Sequence, residues 1–123
     1  MRAVLVGVAL LSLLNAPLAL AWREPTLRER EQITSWYPAW IRNAPVRCVF
    51  IVIHVSSNDP RYALAYAQPL NVLKRHSGCL RYAANGFEIL KRHGVKWRGV
   101  YSGSVDPPCS LKIPRDLTRC SRR

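Results

Sequence analysis

Four cysteines, three histidines and a dense run of cations are the residues whose chemistry this sequence puts forward. Cys48, Cys79, Cys109 and Cys120 lie too far apart for the closely spaced ligand pairs of a structural zinc site. An even count behind an export signal reads instead as two disulfides. Three pairings are open. Cys109–Cys120 is favoured because "CSLKIPRDLTRC" is a short segment with too few apolar residues to fold unaided, and Cys48–Cys79 follows by elimination.

His54, in "VIHVSS", has the setting of a zinc histidine on an amidase strand, but such a site needs two further ligands and an open coordination position. His76 and His93 fall in expected turns and do not supply them. Ser56, Ser57, Ser102, Ser104 and Ser110 lack a nucleophile-elbow context, and no histidine base held by an acid can be nominated for them. The six glycines form no phosphate cradle. A basic nuclease would use Glu88 as base beside Arg98, with Arg81 or Lys96 clamping phosphate, but it would need an acid that nothing after His93 provides. No catalytic residue, metal or cofactor is therefore assigned.

The cations concentrate in "GFEILKRHGVKWRGVY", where Lys91, Arg92, Lys96 and Arg98 form the candidate anion-binding group. Across the chain, 19 Lys and Arg oppose 7 Asp and Glu, for a net charge of +12. Inside a cell that balance suggests nucleic acid; outside it, the partners are wall polymers, acidic polysaccharides and lipid headgroups. The expected partner is an anionic polymer or envelope surface met electrostatically, with no specific nucleic acid. Oligomeric state is left open.

The compartment follows from the first residues. Arg2 precedes an apolar run from Ala3 to Leu14, and Ala19-Leu20-Ala21 supplies a small-residue cleavage site, so residues 1–21 read as a secretory signal peptide. Asn15 and Pro17 interrupt the run well short of the ~20 apolar residues a spanning helix needs. Residues 22–123 then form one small secreted domain, without a transmembrane segment after cleavage.

Pro25 and Thr26 open a helix, with Glu29 as capping-box partner and Leu27, Ile33 and Trp36 near one face; Pro38 ends it. Trp36, Tyr37 and Trp40 are expected in the core. Val46 to Ser57 is apolar on both alternations, which predicts a central strand covered on both sides. After the turn "SNDP", Tyr62, Leu64 and Tyr66 alternate with Ala63, Ala65 and Ala67, whose small face would admit a helix. "PLNVLKRHSGC" is a connection, and "CLRYAANGFEILKR" supplies a third strand with a turn or bulge at "ANG". Gly94 reverses the chain, and Val95, Trp97, Gly99 and Tyr101 share a buried face opposite Lys96 and Arg98. "IPRDLTRC" reads as a short terminal turn, and the tail "CSRR" as disordered. The fold class is α+β: an N-terminal helix packed on a four-stranded antiparallel meander, with a disulfide-closed C-terminal segment.

The blocks "ITSWYPAWIRNAPVRCVFIVIHVSSNDPRYALAYA", "CLRYAANGFEILKR" with "KWRGVYSGS", and "PPCSLKIPRDLTRC" resemble small secreted proteins of unknown function from high-GC Gram-positive (actinobacterial) bacteria. In those proteins a leader precedes one helix and a short sheet, and a "P-R-D-L" stands near the C-terminus. The chain departs from them in the number of cations between Lys91 and Arg98. The helix-then-meander order is also similar to cystatin-like α+β domains. Neither resemblance implies an activity. The expected function is a non-catalytic binding or envelope-associated domain; the alternatives are a secreted basic nuclease or hydrolase, and a secreted protein inhibitor presenting "SSNDPRY".

Overall fold

The computed structural model describes residues 22–122. The signal peptide expected over residues 1–21 lies outside them. An α-helix, α1 (Leu27–Trp36), and a short second helix, α2 (Ala39–Arg42), precede four strands. These are β1 (Val49–Val55), β2 (Tyr62–Pro69), β3 (Phe87–His93) and β4 (Lys96–Gly103). They pair antiparallel in the order β1-β2-β3-β4, so each hairpin joins spatial neighbours.

Helix α1 begins as its sequence dictates. The Thr26 hydroxyl accepts from the Glu29 amide at 3.2 Å, and the Glu29 carboxylate accepts from the Thr26 amide at 2.9 Å. Two otherwise orphaned N–H groups are thus satisfied reciprocally. Arg23 adds a two-pronged ion pair to the same carboxylate, at 2.7 and 2.9 Å. The helix crosses the sheet from β1, where the Arg30 guanidinium donates to the Ile51 carbonyl at 3.1 Å, to β4, where the Trp97 indole N–H donates to Gln32 at 3.2 Å. Ile33 is fully buried in the core cluster that also holds Ala63 and Ala65, the small-residue face of β2. Leu27 departs from expectation: at 76% exposure it stays outside the core, because the apolar stripe runs through Ile33, Trp36 and Tyr37 instead.

One side of the sheet, under α1, holds Val49, Ile53, Val55, Leu90 and Trp97. The far side holds a second cluster of Leu64, Ile89 and Leu117, flanked by Tyr62, Tyr66, Phe87, Tyr101 and Ile113. The C-terminal segment supplies Ile113 and Leu117, so it folds by covering the far side rather than by a core of its own. Ser121 is held as well, its carbonyl accepting from Cys109 and its amide donating to Pro107, so the expected disordered tail is anchored at that residue.

Disulfides join Cys48 to Cys79 and Cys109 to Cys120, over sequence separations of 31 and 11. By restricting the unfolded chain they contribute about 3–4 and about 2.5–3 kcal/mol respectively. The longer bridge anchors the irregular 70–79 connection to the start of β1, where Asn71 also donates to the Arg47 carbonyl at 2.6 Å. Among the described residues, no helix is long and apolar enough to cross a membrane.

Three expectations about the strands are corrected. β1 is an edge strand, not a central one, and its far face is open, with Phe50 53% exposed. Its free edge is covered by Arg30 and by Arg23, whose backbone exchanges two hydrogen bonds with Val55. Leu80–Tyr82 is a 3₁₀ turn, so β3 begins only at Phe87. Finally, the irregularity lies in β4 rather than at "ANG". Gly99 pairs with Leu90 and Tyr101 with Ile89, leaving Val100 as an inserted residue. A bulge puts one extra residue into one strand and flips every side chain beyond it. Trp97 and Gly99 therefore face α1, whereas Tyr101 joins the far cluster.

Candidate functional site

The hairpin register sorts the four candidate anion-binding residues. Lys91 pairs with Arg98 and His93 with Lys96, and cross-strand partners share a face. Lys91, Lys96 and Arg98 are thus together on the far side of the sheet. Arg92 pairs with Trp97 and belongs to the side of α1, so the four-membered candidate group divides between the two sides of the sheet. The reason is the strand period of two: Lys91 and Arg92 are adjacent and point to opposite faces. The Lys91 ammonium stands 5.2 Å from the Tyr62 ring centroid, a cation–π contact that holds its stem against the sheet.

The same side carries further cations that the sequence reading left out. Because Ile113 and Leu117 pack on Leu64 and Ile89, the segment bearing Lys112, Arg115 and Arg119 lies on the far side too. Arg115, Arg119 and Arg122 line a shallow depression beside Cys120. Among the described residues, the ion pairs to carboxylates are Arg23–Glu29 and Arg61–Asp59, and none involves Lys91, Lys96, Arg98, Arg115 or Arg119. Hydrophobic docking of the tail, rather than any local charge pattern, unites hairpin and tail cations on one side.

Glu88 and Arg98, proposed partners in a nuclease reading, are on opposite sides of the sheet. Glu88 pairs with Ala65 and Ser102 on the side of α1, and Arg98 with Lys91 on the other. Arg81 is in the 3₁₀ turn at a separate shallow depression with Trp40 and Tyr82. His54 is on the far face of β1, its ring stacked on Trp22 at 3.7 Å and 6° and edge-on to Tyr66 at 6.2 Å. Burial there pushes the imidazole below its ordinary pKa. Among the described residues, no three His, Cys, Asp or Glu side chains gather as a metal site. The expected inhibitor loop is compact: Ser56 donates its amide to the Tyr62 carbonyl, and Asp59 holds Arg61 by hydrogen bonds of 3.0 and 2.8 Å.

A second feature was not foreseen. Pro38 stops α1 and separates it from α2, so Tyr37 and Trp40 flank a corner instead of sharing a helix face. Meanwhile β2 and β3 pair only through Ala65–Glu88 and then diverge. The gap is a cavity of about 200 Å³, walled by Trp36, Tyr37, Trp40, Tyr66 and Ala67, with Glu88 in its lining. Gly86 closes its rim at φ +96°, where a Cβ would stand 2.8 Å from the Gly103 carbonyl oxygen. Trp40, expected in the core, is 55% exposed at the cavity mouth. Burial raises the Glu88 carboxyl above its usual range, opposed by the hydrogen bond it accepts from Ser102 at 2.9 Å. Burial also raises the Tyr37 phenol, and the Glu88 charge adds to that. The string "WYPAW" was the available signal: aromatics on both sides of a helix-breaking proline cannot all enter one core.

No family model, no curated protein and no solved structure matches this chain, so the functional reading rests on its geometry.

Proposed function

We propose that this chain is an exported, non-catalytic binding domain that engages anionic polymers at or outside the cell envelope. The contact surface is the far side of the sheet, where Lys91, Lys96 and Arg98 stand with Arg115 and Arg119 of the docked tail. The observation that carries this reading is the hairpin register, which pairs Lys91 with Arg98 and gathers cations that, among the described residues, make no contact ion pair with a carboxylate. A surface charge held by partners gives up little on binding a polyanion; cations without partners release the counterions of the polymer and gain the entropy of that release.

The two disulfides support the extracytoplasmic setting, since such bonds persist in oxidising compartments. Recognition of this kind reads charge density, not sequence or stereochemistry. The test is binding to heparin and to a random-sequence DNA duplex across a salt series, with the hairpin cations neutralised.

A further inference from the structure

We propose that the cavity between α1, α2 and the splayed ends of β2 and β3 is a binding site for a primary ammonium group on a small apolar stem. Three features of the cavity define that chemistry. Its walls are largely aromatic, from Trp36, Tyr37 and Trp40. Its lining includes one carboxylate, Glu88, whose hydrogen-bond partner is the Ser102 hydroxyl. And the Tyr37 hydroxyl, on a residue 7% exposed, is buried without a hydrogen-bond partner.

Each feature is unusual alone and is accounted for by the same ligand. Buried hydroxyls almost always have partners, so an orphan one on a residue that lines the cavity marks an interaction that the free protein lacks. In a chain with 19 Lys and Arg, a half-buried carboxylate has many cations to draw on, yet among the described residues no cation pairs with Glu88. An ammonium supplies three N–H donors, enough for the carboxylate and the phenol oxygen together. Aromatic faces attract the cation through their quadrupoles, and the apolar walls take the stem. A sugar fits less well, because its many hydroxyls would find few polar atoms here. At about 200 Å³ the cavity is smaller than the ~300–1,000 Å³ of drug-sized sites, which suits a head group and short stem. The chain's net positive charge opposes entry, but charges beyond about 8 Å are screened at physiological salt while Glu88 acts at contact.

This site is on the opposite side of the sheet from the cationic surface and stands or falls independently of it. The test is titration of the full oxidised chain with n-butylammonium, n-butanol and tetramethylammonium, followed by tryptophan fluorescence and calorimetry. n-Butylammonium should bind saturably, at least about tenfold tighter than the alcohol of the same shape or the cation lacking N–H groups, a gap of one decade in Kd. Glu88→Gln should abolish the preference over the alcohol. Tyr37→Phe should weaken n-butylammonium while keeping or raising the unfolding midpoint, because it deletes a hydroxyl that has no partner in the free protein. Trp40→Ala, at an exposed wall, should weaken binding without unfolding. Equal binding of the alcohol or of tetramethylammonium overturns the proposal. So does the absence of saturable binding, or an E88Q protein that keeps the preference.

Discussion

The Ser56 hydroxyl donates to the Asp116 carboxylate at 2.7 Å across a sequence separation of 60, and this bond fastens the C-terminal segment to the β1–β2 turn. The other carboxylate oxygen accepts from the Ser57 amide at 2.7 Å and more weakly from Asn58 at 3.4 Å. Asp116 therefore serves as an acceptor for a fully buried hydroxyl and for two amides of the turn. The short Cys109–Cys120 loop closes the segment on itself; Asp116, Ile113 and Leu117 attach it to the sheet.

Replacing Asp116 with Ala should cost about 1.5–3 kcal/mol in chemical denaturation, the range for hydrogen bonds to charged groups. Limited trypsinolysis should then cut faster after Arg115 and Arg119. Unchanged cleavage would show that the apolar contacts alone hold the tail.

The Arg23–Glu29 pair makes stability depend on acid. The Arg23 guanidinium, and the Thr26 amide and hydroxyl after it, hold the Glu29 carboxyl at about 2 against an ordinary 4.5. A carboxyl with a depressed folded value stabilises above the unfolded value and loses that contribution as pH falls through the folded one. Glu29→Gln should thus destabilise at neutral pH by about 1–2 kcal/mol, a figure reduced because the Arg23 side chain is 39% exposed. The gap from the parent protein should shrink between pH 4.5 and pH 2. A gap independent of pH would mean that helix capping, and not charge, carries the effect.

Gly99 is where α1 touches β4. A Cβ there would stand 2.9 Å from the Trp36 ring, so a side chain at this position would force the indole to shift. Gly99→Ala should destabilise by about 1–3 kcal/mol through overpacking. The near-ultraviolet dichroism of the tryptophans should change with it, and an unperturbed spectrum would contradict the contact.

Much of the fold was legible because local signals agreed with it. Thr26 and Glu29 announced the helix start, Pro38 its end, and the Tyr/Ala alternation from Tyr62 to Ala67 the face that receives Ile33. What could not be read depended on partners distant in sequence. Whether β1 is central or an edge is decided by strand order, and a run of β-branched residues looks alike in either place. The Val100 bulge leaves no trace in composition, yet it moves Tyr101 to the other side of the sheet. The basic hairpin was visible as charge, but not its division between Lys91 and Arg92, nor its union with the tail cations, which only the docking of Leu117 creates. The aromatic cavity was hidden because Trp36, Tyr37 and Trp40 were each expected in a core, and Glu88 meets them only where β2 and β3 part.

The most direct test of the polyanion reading is the salt dependence of binding to a DNA duplex and to heparin. For duplex DNA the slope of log K against log salt is about −0.9 per phosphate neutralised, so Lys91→Gln, Lys96→Gln and Arg98→Gln together should flatten it by about 2–3. Adding Arg115→Gln and Arg119→Gln should flatten it further, whereas Arg92→Gln alone should leave it nearly unchanged. All variants should keep the parent unfolding midpoint to within a few tenths of a kcal/mol per exposed site. The account predicts steep salt dependence on both polymers, lost with the far-side cations and kept without Arg92. Binding that is as tight and as salt-sensitive in the triple variant, or that is lost with Arg92 alone, would contradict it.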